Sequence, residues 1–451
     1  MSLRERLQSL ETPEPVAPLR KRPALPAPSE HQEMKSRIHQ RLLERVDLGA
    51  MEAMSPEQLA GEIGALVERL LDEEALVIND AERRSLVRDI QHEMLGLGPL
   101  EPLLADPTIS DILVNTYARV FVERRGQLQL TEVRFSDDAH LMRIIDKIVS
   151  RIGRRIDESS PMVDARLPDG SRVNAVIPPV SIDGPLLSIR RFAAVPLTMD
   201  DIVGFKTLTP EMARILEALA AARLNVLVSG GTGSGKTTLL NILSGYIGPS
   251  ERVITIEDAA ELQLQQPHVG RLETRPPNIE GKGEITQRAL VRNALRMRPD
   301  RIILGEVRGP EAIDMLQAMN TGHEGSMTTI HANSPRDSLS RLENMVGMAG
   351  FNMTQKATRQ QIAAAISVIV QIARLSDGRR RLVSVQEITG MEGDTISMQE
   401  IWGYRQTGVA ADGSVIGHFA ASGIRPRFAE RLHERGHPLD DALFDATRHY
   451  A

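Results

Sequence analysis

The sequence predicts an α/β chain of several domains, in which a helical segment and a smaller mixed domain precede a larger domain built on a parallel sheet. Three observations predict it. The 451 residues exceed one ordinary domain of about 150 residues. The apolar spacing passes from helical to mixed along the chain. Apolar runs at 226–228, 253–256 and 302–304 then alternate with helical segments, the pattern of a parallel sheet covered on both faces.

Composition narrows the class. Hydrophobic residues at 41% and charged residues at 25% are globular proportions, which excludes disordered and fibrous chains. The absence of Cys excludes disulfide scaffolds, Cys-ligated zinc, iron–sulfur clusters and thiol catalysis, and fits a reducing compartment. The longest mostly apolar stretch, 362–373, falls short of the ~20 residues that cross a bilayer. With no apolar run at the start, no signal peptide is expected. A net charge of −6 and a pI near 6.1 give no global field for polyanions, so no nucleic-acid partner is expected.

Each segment has its own signal. Residues 1–35 hold Pro13, Pro15, Pro18, Pro23, Pro26 and Pro28 among charged residues and read as a disordered leader. Its triplet Arg20-Lys21-Arg22 carries too little charge to recruit a membrane alone. Residues 36–98 read as a helical bundle: Ser55-Pro56-Glu57-Gln58 is a capping box ahead of Ile63, Leu66, Val67, Leu70 and Leu71, and Leu86, Val87, Ile90 and Met94 precede Gly96. Residues 99–195 read as an N-terminal α/β domain, with strands near 112–114, 120–122, 128–135 and 173–178 and a helix near 139–152. An interdomain linker is expected at 196–207. Residues 208–451 form the larger domain, although strand and helix signals weaken after Gly390, and there is no internal repeat.

The chemistry centres on Gly230-Gly231-Thr232-Gly233-Ser234-Gly235-Lys236-Thr237, which follows the strand at 226–228 and opens a helix through Thr238. The spacing GxxxxGK[ST] is demanding. Glycines let successive backbone N–H groups turn inward around phosphate oxygens, and the helix start adds its positive dipole end. Lys236 then reaches the β/γ-phosphates and Thr237 presents its hydroxyl to Mg²⁺. A triphosphatase also needs acids at neighbouring strand ends to hold the metal shell and orient water. Glu257-Asp258 and Glu306 end the next two apolar runs and occupy such positions. His323 and His331 flank a short extended segment, where imidazoles can donate to phosphate or hold an acid. Arginines that stabilise a transferring phosphoryl group are sought upstream, at Arg172 and at Arg190-Arg191. Arg288, Arg292 and Arg296 share one helical face, and a solvated stripe explains them as well as an interface does.

Taken together, residues 230–237, 253–261 (VITIEDAAE), 299–309 (PDRIILGEVRG) and 322–333 (GHEGSMTTIHAN) resemble the Walker A, Asp box, Walker B and His box of the type II/type IV secretion and pilus ATPase superfamily, in order and in spacing. The resemblance covers roughly residues 100 to 390. Within the superfamily, the long helical extension and the string RLPDGSRVN at 166–174 most resemble the CpaF type, the motor of Tad/Flp pili. The lack of Cys argues against the branch with a tetracysteine zinc site. The type IV secretion and conjugation ATPases are the alternative.

The resemblance implies a RecA-like P-loop core, ATP and Mg²⁺ as ligands, and a homohexamer in which nucleotide-driven closure between two domains does mechanical work. It implies a cytoplasmic location at the bacterial inner membrane, on an inner-membrane pilus platform protein. By the same analogy Gly230 to Thr238 bind nucleotide, Thr237, Glu257 and Glu306 serve the metal, and Glu257, Asp258, Glu306, His323, His331, Arg172, Arg190 and Arg191 are catalytic. A RecA-like nucleic-acid translocase is the competing class, but the acidic balance and the four Tyr, eight Phe and one Trp weigh against it. An ABC-type ATPase would carry an LSGGQ string, which the chain lacks.

Overall fold

The computed structural model describes residues 30–45, 54–74, 78–124, 126–191, 196–277 and 282–450. The expected leader lies almost entirely outside them. The chain forms two compact units, one of the described residues up to Ala165 with Val173–Ile189, the other of Arg166–Arg172 and everything from Arg190 onward.

In the first unit, α1 (Glu30–Arg45), α2 (Pro56–Glu73) and α3 (Asp80–Leu95) bury Ile38, Leu42, Ile63, Val67, Leu70, Leu86 and Ile90 against one another. The capping box at Ser55 forms as the sequence indicates: Gln58 N donates to Ser55 Oγ at 3.3 Å, and Ser55 N donates to Gln58 Oε1 at 3.1 Å. A second box, Asn79 with Glu82, starts α3. After α4 (Glu101–Ala105) come β1 (Ile109–Thr116), β2 (Arg119–Arg124), β3 (Gln127–Leu130), α5 (Asp138–Arg151), β4 (Met162–Arg166), β5 (Arg172–Val176) and β6 (Leu186–Arg190). The strands form one sheet in the order β3-β2-β1-β6-β5-β4. α5 buries Leu141, Ile144, Ile145 and Ile148, the i, i+3, i+4, i+7 stripe of a one-sided helix.

The second unit begins with α6 (Met199–Gly204), which lies inside the stretch expected to be a linker. It has a fold role because Met199 and Ile202 are buried in the unit's core. Next come α7 (Pro210–Ala221), β7 (Val226–Gly230), α8 (Lys236–Ser244), β8 (Val253–Glu257), β9 (Val269–Glu273), α9 (Gln287–Ala294) and β10 (Arg301–Val307). They are followed by α10 (Glu311–Asn320), β11 (Met327–His331), α11 (Pro335–Met348), α12 (Gln355–Ala365) and β12 (Val368–Arg374). The chain ends with β13 (Arg380–Glu392), β14 (Thr395–Val409), β15 (Val415–Ala421), α13 (Phe428–Glu434) and the short β16 (His449–Tyr450).

All ten strands of this unit form one sheet, ordered β16-β15-β14-β13-β12-β7-β11-β10-β8-β9. The half from β12 to β9 is parallel, and β12 through β16 pair antiparallel. In β7 every residue is buried, with Val226 and Val228 in one apolar layer and Leu227 in the other. That is the burial of a central parallel strand with helices on both faces. The architecture is an α/β RecA-like P-loop core preceded by a smaller α/β domain and a helical bundle. The region after Gly390, where the sequence signals weaken, supplies β14, β15 and β16 of the antiparallel half of the sheet. Buried Trp402 anchors it by donating from Nε1 to Leu443 O at 2.9 Å.

Candidate functional site

The loop at 231–235 emerges from the carboxyl end of β7 and feeds α8. Gly230 must be glycine, since a Cβ there would stand 2.3 Å from Ile372 O and 2.6 Å from Ser234 Oγ. Gly233 (φ 67°) and Gly235 (φ 100°) take left-handed backbone, and no side chain caps α8. The first amides of α8 are thus left for a ligand, in a loop shaped to receive an anion. Within the loop, Lys236 Nζ, Ser234 Oγ and Ser234 N all donate to Gly231 O, at 2.9, 2.9 and 3.4 Å. Three donors converging on one carbonyl oxygen, which has two lone pairs, mark a spot suited to a stronger acceptor such as a phosphate oxygen. Burial lowers the Lys236 pKa, and the nearby Glu306 opposes that effect.

Strand register brings the acids to the same edge. Ile256 lies beside Leu304, so Glu257 adjoins Gly305, where a Cβ would come within 3.0 Å of Glu257 Cγ. Glu257 is 3% exposed. Its Oε2 accepts from the amides of Glu261 and Leu262 at 2.7 and 2.9 Å, while Oε1 has no hydrogen-bond partner among the described residues. Burial pushes its pKa up, against the pull of those two amides. Glu306 and Asp258 meet through Arg308, whose Nη2 lies 2.7 Å from Glu306 and whose Nη1 lies 3.3 Å from Asp258.

Thr237 and Thr238 face a cavity of about 220 Å³ shared with Arg172, Arg190, Arg191, Asn241 and Glu261. The three arginines, expected on the preceding domain, group with the unit that holds the phosphate loop. Two ion pairs and a hydrogen bond hold that turn in place: Arg172 Nη1 pairs with Glu261 at 3.0 Å and Arg166 Nη2 with Glu273 at 3.1 Å, and Arg166 Nη1 donates to Ala260 O at 2.9 Å.

The two histidines part company. His331 ends β11 directly beside Gly230. His323 precedes β11, and because β11 runs parallel to β7 it lies at the opposite edge of the sheet, a strand length of about 15 Å away. Its placement beside the phosphate loop is therefore corrected: strand direction separates the two histidines that sequence proximity groups together. Near His323, Asn225 takes the amides of Gly325 and Ser326 at 2.8 and 3.1 Å and donates to Ala365 O at 2.7 Å. Asn225 thus ties the start of β11 to α12 at that end of the sheet, while His323 Nδ1 is buried with no hydrogen-bond partner among the described residues.

Sequence reasoning missed Arg308 and Arg380. Arg308 was legible, because residues two apart on an extended segment share a side and Arg308 follows Glu306 by two. Arg380, whose Nε donates to Gly233 O at 3.0 Å, comes from a hairpin 147 residues downstream and had no local signal. The stripe of Arg288 and Arg292 resolves into pairs with Asp314, at 2.8 and 3.5 Å.

Among the described residues no three His, Asp or Glu side chains gather as a metal cage. The donors present, a Thr hydroxyl and strand-end carboxylates, instead suit Mg²⁺, which keeps its waters and leans on substrate phosphates.

Comparison with known proteins gives the family. The type II/IV secretion system protein family matches residues 93–409, and the N-terminal domain family of type II secretion system protein E matches residues 31–95. A putative conjugal transfer protein of Mycobacterium tuberculosis is 38% identical over 346 residues, covering 75% of this chain and 97% of that protein. The type IV secretion system protein VirB11 of Brucella suis is 33% identical over 316 residues, covering 64% and 88%. The crystal structure of the Brucella suis VirB11 ATPase, in complex with sulphate, aligns at 31% identity over 64% of this chain and 92% of that one, with a TM-score of 0.35. With more than half its length matched, this chain belongs to the type II/IV secretion system protein family.

Proposed function

We propose that the protein is an ATP-hydrolysing motor that drives transport or assembly by a membrane-bound secretion machine. The observation that carries this reading is the convergence, at one sheet edge, of an uncapped glycine loop with its lysine, the carboxylates Glu257 and Glu306, and the arginine-lined cavity beside Thr237. In this proposal the loop amides and Lys236 hold the β- and γ-phosphates. Thr237 and Glu306 hold the hydrated Mg²⁺, which supplies charge neutralisation at the transferring phosphoryl group. Glu257, buried and with one oxygen unpartnered, takes the proton of the attacking water, while its other oxygen fixes the loop at 261–262. Arg308 keeps Glu306 and Asp258 aligned. His331, beside Gly230, and Arg172, Arg190 and Arg191 around the cavity donate to the γ-phosphate.

For the machine served, the relatives named for conjugal transfer and type IV secretion favour a secretion ATPase acting as a ring at the cytoplasmic face of the inner membrane. The Tad/Flp pilus motor is the second reading. It rests on the RLPDGSRVN string and on the three-helix extension at 30–95, and it implies a pilus platform protein as partner. No helix among the described residues is long and apolar enough to cross a membrane.

The test is Glu306→Gln. The substitution keeps shape and removes charge, so nucleotide should still bind while phosphate release falls about 100-fold or more. Undiminished turnover would overturn the assignment.

A further inference from the structure

We propose that Arg380 is a positioning residue for the phosphate loop: from a neighbouring hairpin it grips the carbonyl of Gly233 and so turns the loop amides toward the phosphates. The inference rests on the nucleotide reading above and adds a component that lies outside the loop itself.

β12 runs beside β7 with Ile372 level with Gly230, so the chain beyond Ile372 passes the loop at its root. Arg374 and Arg380 then face each other across the β12–β13 pairing. The turn between them is tightly held. Leu375 N donates to Arg379 O at 2.8 Å, Arg379 N to Asp377 Oδ1 at 2.9 Å, and Val415 N to Asp377 Oδ2 at 3.0 Å, which ties the turn to β15. From this fixed base Arg380 Nε donates to Gly233 O at 3.0 Å. Its Cδ stands 3.4 Å from the Cβ position of Gly235, and Arg374 Nη1 stands 3.9 Å from that of Gly233. At these distances the two arginine side chains pack directly against the loop in ordinary van der Waals contact.

The peptide unit explains what the bond does. A carbonyl and the following N–H point in opposite directions across a planar trans peptide. Holding Gly233 O toward Arg380 sends Ser234 N–H the other way, toward Gly231 O, where it already donates at 3.4 Å. That is the side on which a phosphate would replace the carbonyl as acceptor.

The energetics argue against a merely structural bond. Among the described residues Arg380 has no carboxylate partner, and its cross-strand neighbour is another arginine. With no ion pair to satisfy, the Arg380 guanidinium keeps its charge for an anion seated in the loop beside it.

The experiment uses full-length protein, Arg380→Ala, Arg380→Lys and Lys236→Ala, with thermal melting measured with and without Mg-ADP and steady-state ATP hydrolysis. Arg380→Ala should melt at the parent temperature without nucleotide, show a smaller nucleotide-induced rise, and need about tenfold more ATP for half-saturation, with kcat within about twofold. Arg380→Lys keeps charge but lacks the Nε–H donor and should recover less than half of the loss. The proposal is overturned if Arg380→Ala matches the parent in both nucleotide readouts, if it lowers the nucleotide-free melting temperature and leaves KM alone, or if Lys restores KM fully. A parent protein that shows no nucleotide response, like Lys236→Ala, overturns the underlying nucleotide reading together with it.

Discussion

Removing Glu251, which is 6% exposed in the turn before β8, should unfold the second unit far more readily than losing an exposed loop carboxylate would. Arg301 opens β10 and is 0% exposed. Its Nε and Nη2 bond both oxygens of Glu251 at 2.7 and 2.8 Å, and Nη1 donates to Ala220 O at 2.6 Å. Burial raises the Glu251 pKa, but Arg301, with Arg223 at 3.1 Å and the Gly248 amide, together outweigh it, so the carboxyl is held below its ordinary range. The pair's contribution is therefore present above the usual carboxylate pKa and fades as pH falls through the lower folded value. Glu251→Ala leaves a guanidinium buried without a counter-charge, which costs about 3–5 kcal/mol. At roughly 2–4 °C per kcal/mol for a domain of this size, the melting temperature should fall by about 6–20 °C. The assay is thermal unfolding of the parent, Glu251→Ala, Arg301→Met and the double variant Glu251→Leu/Arg301→Met. The double variant should be more stable than either single one, because it removes both charges and refills the space. A single-variant loss under about 1 kcal/mol, or a double variant showing the sum of the two single losses, would refute the reasoning.

Two further outcomes follow from the same structure. Gly325→Ala puts a Cβ at φ 83°, 2.8 Å from Arg301 Nη1 and 2.9 Å from Arg223 Cα, and should cost about 1–3 kcal/mol in the same melting assay; a neutral effect would show that this turn yields freely. In the first unit, burial opposes the charge of Glu93, but His140 at 2.9 Å and Lys35 at 2.6 Å prevail and hold its pKa at about 2. That stabilisation is complete above the unfolded carboxylate value and drains as pH falls toward 2. Melting temperature against pH should accordingly drop on the acid side in the parent and stay flatter in Glu93→Gln, and parallel curves would contradict the assignment.

What the sequence revealed follows from the range of each signal. The phosphate loop and the box at Ser55 are local devices, in which spacing alone dictates geometry, and both were legible. The edge that gathers Glu257, Glu306 and His331 was legible too, because strand ends in a parallel sheet share one side. His323 shows the limit: two histidines eight positions apart are close in sequence, yet an intervening strand separates them by its full length. The long strands β13 and β14 escaped because their burial follows no period of two, with paired buried positions such as Leu382-Arg381 and Ile401-Trp402. Arg301 inverts the usual rule that charge lies outside, and only its partners Glu251 and Ala220, distant in sequence, explain it. Arg380 depends on strand order, which places β12 beside β7 across a long stretch of chain.

The most direct measurement of the central claim is phosphate release from ATP by full-length protein with Mg²⁺, compared with Lys236→Ala over the same protein concentrations. The account predicts turnover by the parent that rises as the chain assembles, and loss of about 100-fold or more when the lysine is removed from the loop. Equal rates for the two proteins, or no release by the assembled parent, would contradict it.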